Sequence, residues 1–142
     1  MARLQLAAVA AGVVGVGISI YLTMLHYAGI TPACPVSGTI NCEAVLSSSY
    51  AVIAGTSVPT SVAGILWFGV SALLWGLRFG PVHMAWSAVG LLTVLYLVFI
   101  EIVRVGAICL WCTAAHVLVV AIVMISAVVS LSPAGRGLGR GS

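Results

Sequence analysis

A chain of 142 residues that is 63% hydrophobic and only 5% charged has too little polar surface to close a soluble domain. Its formal net charge of +3 comes from five arginines against two glutamates, too sparse and scattered for a nucleic-acid-binding face. The length allows one domain with no added soluble module.

Charges divide the sequence into apolar runs. Leu4–Met24, Val58–Leu77 and Val105–Leu131 carry none, and Val82–Val103 carries only Glu101. Each run is long enough to cross a ~30 Å hydrocarbon core as a helix. Spans are therefore expected at about 4–26, 58–78, 82–104 and 107–131, forming one all-α, four-helix membrane domain over 1–132.

The first run outlasts the ~7–15-residue core of a secretory signal and ends without a cleavage site, so it reads as a retained helix. Ala8 with Gly12, and Ala11 with Gly15, are small-residue pairs suited to close helix packing. The connection from Tyr27 to Ser57 is the longest in the chain and holds Cys34, Cys42 and Glu43. Within it, Asn41 is a good N-cap, Glu43 favours a first turn, and Val45 and Leu46 form an apolar patch. A short interfacial helix over Cys42–Tyr50, covering the bundle, is the expectation.

Arg3, Arg78, Arg136 and Arg140 fall on the side that holds both termini and the turn Arg78–Pro81, whereas only Arg104 falls opposite. The positive-inside rule places the termini in the cytoplasm and the long loop outside, in a multi-pass plasma-membrane protein. Trp75 and Trp86 flank the cytoplasmic turn and Trp111 sits near the outer boundary, as interfacial aromatics do. Glu101 and Arg104, one turn apart, read as an interfacial ion pair, and His26 and His83 as span-end residues that meet water. The tail Pro133–Ser142 is Gly-rich and reads as a disordered cytoplasmic segment.

Counting spans puts all four cysteines at the same, outer boundary: Cys34 and Cys42 in the loop, Cys109-Leu-Trp-Cys112 at the start of the fourth span. A C-x-x-C at a helix start places two sulfurs one turn apart, where the helix dipole and free N–H groups favour a thiolate. Thiolate is the attacking species in disulfide exchange. Cys42, next to Asn41, gains the same help. At about 100° per residue, Cys109, Cys112 and His116 share one helix face, so two thiols and an imidazole point into one pocket. His116 can then donate a hydrogen bond to a quinone carbonyl beside Cys112. Competing readings stay open at this point: a structural Cys34–Cys42 staple, four thiolates on one zinc ion, or His116 as a packing residue in a non-enzymatic membrane scaffold.

The run Cys34-x7-Cys42-Glu-Ala-Val-Leu-Ser-Ser-Ser-Tyr50, then Val58-Pro59-x4-Gly64, then Cys109-x-x-Cys112, resembles the vitamin K epoxide reductase family, and more closely its prokaryotic homologues. The likeness spans nearly all of Arg3–Leu131. It implies a four-helix bundle around a quinone, capped by the loop, with quinone of unspecified type as electron acceptor. It further implies that Cys34 meets a thioredoxin-like partner, that Cys42 forms the interpair disulfide with Cys109, and that Cys112 lies nearest the quinone. Ser48 matches the family's loop serine. Thr60 stands where vertebrate enzymes place a quinone-binding asparagine, and His116 where they place a tyrosine; Leu46 is grouped with them as a quinone contact. The chain contains no fused thioredoxin domain, so the expected partner is a separate, DsbA-like protein. The activity implied is disulfide generation; reduction of a quinone epoxide on the same cysteines is the alternative.

Overall fold

The computed structural model describes residues 1–77 and 80–132. The expected tail Pro133–Ser142, and Arg78 and Phe79 of the expected turn, lie outside them. The described residues form α1 (Ala2–Ala28), α2 (Cys42–Leu46), α3 (Thr60–Leu77), α4 (Gly80–Phe99) and α5 (Leu110–Leu131), and they contain no β-strand. Four stretches are long and apolar enough to span a membrane: Ala2–Ala28, Thr60–Leu77, Val82–Val105 and Leu110–Leu131. These helices are apolar on all sides because their outer faces meet lipid rather than water. Leu6 and Leu131, 70% and 75% exposed in the isolated chain, are such lipid-facing residues.

Lipid tails are as apolar as leucine, so close packing and interhelical hydrogen bonds hold the bundle together. Ala8, Gly12 and Gly15 are buried on the α1 face that meets α3, where Gly12 lies against Ala72 and Gly15 against the Phe68 ring. Along the same seam Gln5 Nε2 donates to the Trp75 carbonyl at 2.9 Å, and the Thr23 and Ser61 hydroxyls pair at 2.8 Å. The buried hydroxyls of Ser87 and Ser126, 2.8 Å apart, tie α4 to α5. Between α3 and α4 the two indoles cross-brace the helices. Trp67 Nε1 donates to the Trp86 carbonyl at 3.2 Å, and Trp86 Nε1 to the Trp67 carbonyl and the Ser71 hydroxyl.

Four expectations are corrected here. Trp75 is buried in the bundle, stacked on a buried His83 with ring centroids 4.3 Å apart, and Trp86 packs against the core. Position near a span end does not tell which face of the helix a ring occupies, so neither tryptophan is an interfacial anchor and His83 does not meet water. The loop helix is shorter than Cys42–Tyr50: it stops at Leu46 and resumes as a single 3₁₀ turn, Ser49–Ala51. Ser48 stands in extended conformation between them, its hydroxyl donating to the Val45 carbonyl at 2.7 Å, an alternative to helical bonding typical of serine. Finally, Glu101 and Arg104 make no ion pair among the described residues. Glu101 is buried and turned inward while Arg104 is exposed.

That inward turn has a local cause. After Phe99 the backbone widens into a π-helical stretch, Ile100–Val105, which shifts the helix register by part of a turn. It ends at Gly106, whose φ of 70° only glycine adopts without strain, and the N–H groups of Gly106 and Ala107 close onto the Glu101 carbonyl. The chain then reverses into Cys109.

Candidate redox site

Two segments remote in sequence are zipped together at one end of the bundle. Ile40 and Ile108 form a parallel bridge, with Asn41 N–H donating to the Ile108 carbonyl at 3.0 Å and Ile108 N–H to the Thr39 carbonyl at 2.8 Å. Immediately after each bonded position comes a cysteine, Cys42 on one side and Cys109 on the other. Both are buried, at 1% and 0% exposure, in a cluster with Val45 and Ala107, and Cys34 and Cys112 pack against it. The Asn41 side chain accepts from Ala44 N–H at 3.0 Å, so the predicted N-cap starts α2 at Cys42. Trp111 Nε1 donates to the Ala33 carbonyl at 3.1 Å and its ring lies 4.8 Å from Tyr21, which pins the Cys34 segment over the start of α5.

Cys34 and Cys42 form a disulfide with Cα atoms 6.1 Å apart, whereas Cys109 and Cys112 are free thiols. Cys109 is the N-cap of α5 rather than its first turn: its sulfur accepts from Cys112 N–H at 3.4 Å. A hydrogen bond with the Cys112 thiol holds Cys109 below the ordinary thiol range. Burial opposes this, and the backbone N–H groups of Cys112 and Trp111 add to it.

Beneath this cluster lies a cavity of about 640 Å³ between the helices. Every residue expected to contact a quinone lines it, namely Leu46, Ser48, Thr60 and His116, and so does Cys112. Cys34, Cys42 and Cys109 do not. The four sulfurs thus order themselves from the exposed loop to the cavity: half-buried Cys34, buried Cys42 and Cys109, then Cys112 at the cavity wall. The walls include the Trp67 and Phe68 rings, and the opening reaches lipid-facing Leu66 and Val89 on α3 and α4. Large and mostly apolar, with a few polar groups in its wall, this space fits an aromatic ring carrying carbonyls.

The polar groups are not equivalent. The Ser48 hydroxyl donates to the Val45 carbonyl and the Thr60 hydroxyl to the Tyr50 carbonyl at 3.3 Å, so towards a ligand both present oxygen lone pairs. The His116 ring makes no hydrogen bond among the described residues and keeps an N–H to give. His116 is therefore a free donor for a carbonyl, whereas the Cys112 thiol is already hydrogen-bonded to Cys109. Among the described residues no three His, Cys, Asp or Glu side chains converge as a metal site.

Glu101 is the site residue that sequence reasoning missed. Its carboxylate accepts from Cys109 N–H at 3.4 Å, and it lines the main cavity together with Cys112 and His116. A second hollow of about 370 Å³ between α4 and α5 is lined by the same Glu101 and His116. The available signal was a lone carboxylate inside an otherwise apolar span, which by cost alone marks a site; its spacing to Arg104 masked that signal.

No individually curated protein matches the sequence. The description "Vitamin K epoxide reductase family" is matched over residues 6–127, a stretch that contains all four cysteines and every cavity residue named above, and the chain belongs to that family of membrane redox enzymes.

Proposed function

We propose that this multi-pass membrane protein is a quinone-linked thiol oxidoreductase that generates disulfides in a separate thioredoxin-like protein. The observation that carries the reading is the graded placement of the sulfurs, with the Ile40–Ile108 ladder aligning Cys42 on Cys109 and Cys112 alone at the cavity wall.

In this reading a partner's thiolate attacks the half-buried Cys34, and the partner leaves oxidised while Cys34 and Cys42 become thiols. When the inner pair is a disulfide, the Cys42 thiolate attacks the Cys109 sulfur and Cys112 leaves. Cys34 then attacks Cys42, closing the loop disulfide and releasing Cys109. A leaving thiol with a lowered pKa departs faster, which suits the environment of Cys109. The net result is two electrons and two protons on Cys109 and Cys112, with the loop pair oxidised. Cys112, at the cavity wall, passes the electron pair to a quinone, and Cys109 closes the inner disulfide. The quinone supplies a two-electron, two-proton acceptor; its type is set by the host membrane. His116 orients its carbonyl by hydrogen bonding. Leu46, Ser48 and Thr60 close the loop-side wall. The protein is placed in the plasma membrane, and the arginine distribution supports the cysteines facing outside and the termini in the cytoplasm.

The test is a split between half-reactions. Cys112→Ala abolishes quinone reduction from any donor. Cys34→Ala blocks oxidation of a protein partner, yet a small dithiol still drives quinone reduction through the inner pair. Equal loss of both activities in both variants refutes the relay.

A further inference from the structure

We propose that Glu101 is the proton-transfer residue of the inner pair, taking the proton that leaves the Cys109–Cys112 dithiol and releasing it towards the reduced acceptor in the cavity. The inference rests on the reading above and adds a residue to it. Closing the inner disulfide frees two protons as two electrons depart, and reducing a quinone to a hydroquinone takes up two. In a mostly apolar cavity these protons need a carrier that touches both ends.

Glu101 meets that requirement. It is 6% exposed within a span, where a carboxylate is costly and is retained only with a partner or a role. Its single protein partner among the described residues is one long backbone N–H bond, from Cys109. The π-helical stretch turns it away from exposed Arg104 and into the wall it shares with Cys112 and His116. The titratable groups around it are Cys109, Cys112 and His116 of α5, with His26, Glu43 and Tyr50 farther along the cavity lining. A new thiolate at Cys109 or Cys112 repels a charged carboxylate, so protonation of Glu101 is coupled to ionisation of the dithiol.

A bland role, capping the Cys109 N–H, makes a different prediction, because glutamine can accept that bond but cannot carry a proton. The experiment uses the full chain in lipid nanodiscs, pre-reduced with dithiothreitol and mixed with a short-chain benzoquinone. Single-turnover loss of quinone absorbance is followed across pH for the wild type, Glu101→Gln, Glu101→Asp and Glu101→Asn. Glu101→Gln and Glu101→Asn slow this step about 10²-fold, as loss of a general acid–base group does. Both lose one limb of the pH profile, while Glu101→Asp keeps that limb and part of the rate. Exchange between the loop pair and the inner pair, read by maleimide gel shift, stays at the wild-type rate in Glu101→Gln. A Glu101→Gln protein with wild-type turnover and pH profile overturns the inference. If Glu101→Gln misfolds, wild-type turnover in Glu101→Asn overturns it equally. A wild type that reduces no quinone instead overturns the functional reading beneath it.

Discussion

A methyl group added at Gly90 provides a quantitative test of how the cavity wall is built. Gly90 is buried on α4, and a Cβ there would overlap the Trp67 indole, coming 2.9 Å from Nε1 and closer still to two ring carbons. Trp67 is 9% exposed, and its N–H is committed to the Trp86 carbonyl, so the ring has no free direction except the cavity it lines. Overpacking of this kind costs ~1–3 kcal/mol, and a lost indole hydrogen bond adds ~0.5–1.5 kcal/mol. The better helix propensity of alanine returns at most ~0.5–1 kcal/mol. Gly90→Ala is therefore expected to destabilise the bundle by ~1–3 kcal/mol. Gly69→Ala supplies the control: it lies on α3 with no foreign atom within 4 Å of the new Cβ, and is neutral or slightly stabilising. Thermal unfolding in detergent, followed by tryptophan fluorescence, reads both. A displaced Trp67 also narrows the cavity, so Gly90→Ala weakens quinone binding while Gly69→Ala does not. Equal stability of the two variants would show that the Trp67 wall yields freely, and the reasoning would fail.

His116→Leu removes an imidazole donor from the cavity wall and weakens quinone affinity severalfold, the worth of a net hydrogen bond of ~0.5–1.5 kcal/mol; unchanged affinity by titration removes His116 from the site. With the Cys34–Cys42 disulfide intact, the first thiolate to appear by ultraviolet absorbance belongs to Cys109, with a midpoint below the usual ~8.5 of a free thiol. Thiolate is present above that midpoint and lost below it, and Cys112→Ala raises the midpoint by deleting the hydrogen bond that lowers it; a midpoint unmoved by Cys112→Ala contradicts the assignment. For orientation, a membrane-impermeant thiol reagent labels reduced Cys34 in intact cells, and failure to label places the cysteines on the cytoplasmic side.

The composition and charge spacing alone determined that the chain crosses a membrane four times, because each apolar run must satisfy its own backbone as a helix in lipid. Span counting then put both cysteine pairs at one end, and the Asn41 cap and the Ala8–Gly12–Gly15 seam were legible because they depend on local residue order. Facing was not legible. In a helix apolar on all sides the pattern does not tell lipid from neighbour, so Trp75 and His83, read as boundary residues, turned out to be buried. The short parallel ladder that aligns Cys42 with Cys109 joins segments 68 residues apart, Ile40 and Ile108, and no local signal encodes it. Glu101 depended on both: its identity was plain, but its direction was decided by a π-helical stretch whose register shift arises where α4 meets the turn at Gly106. The sequence named nearly all the chemical groups, and the packing decided which of them meet.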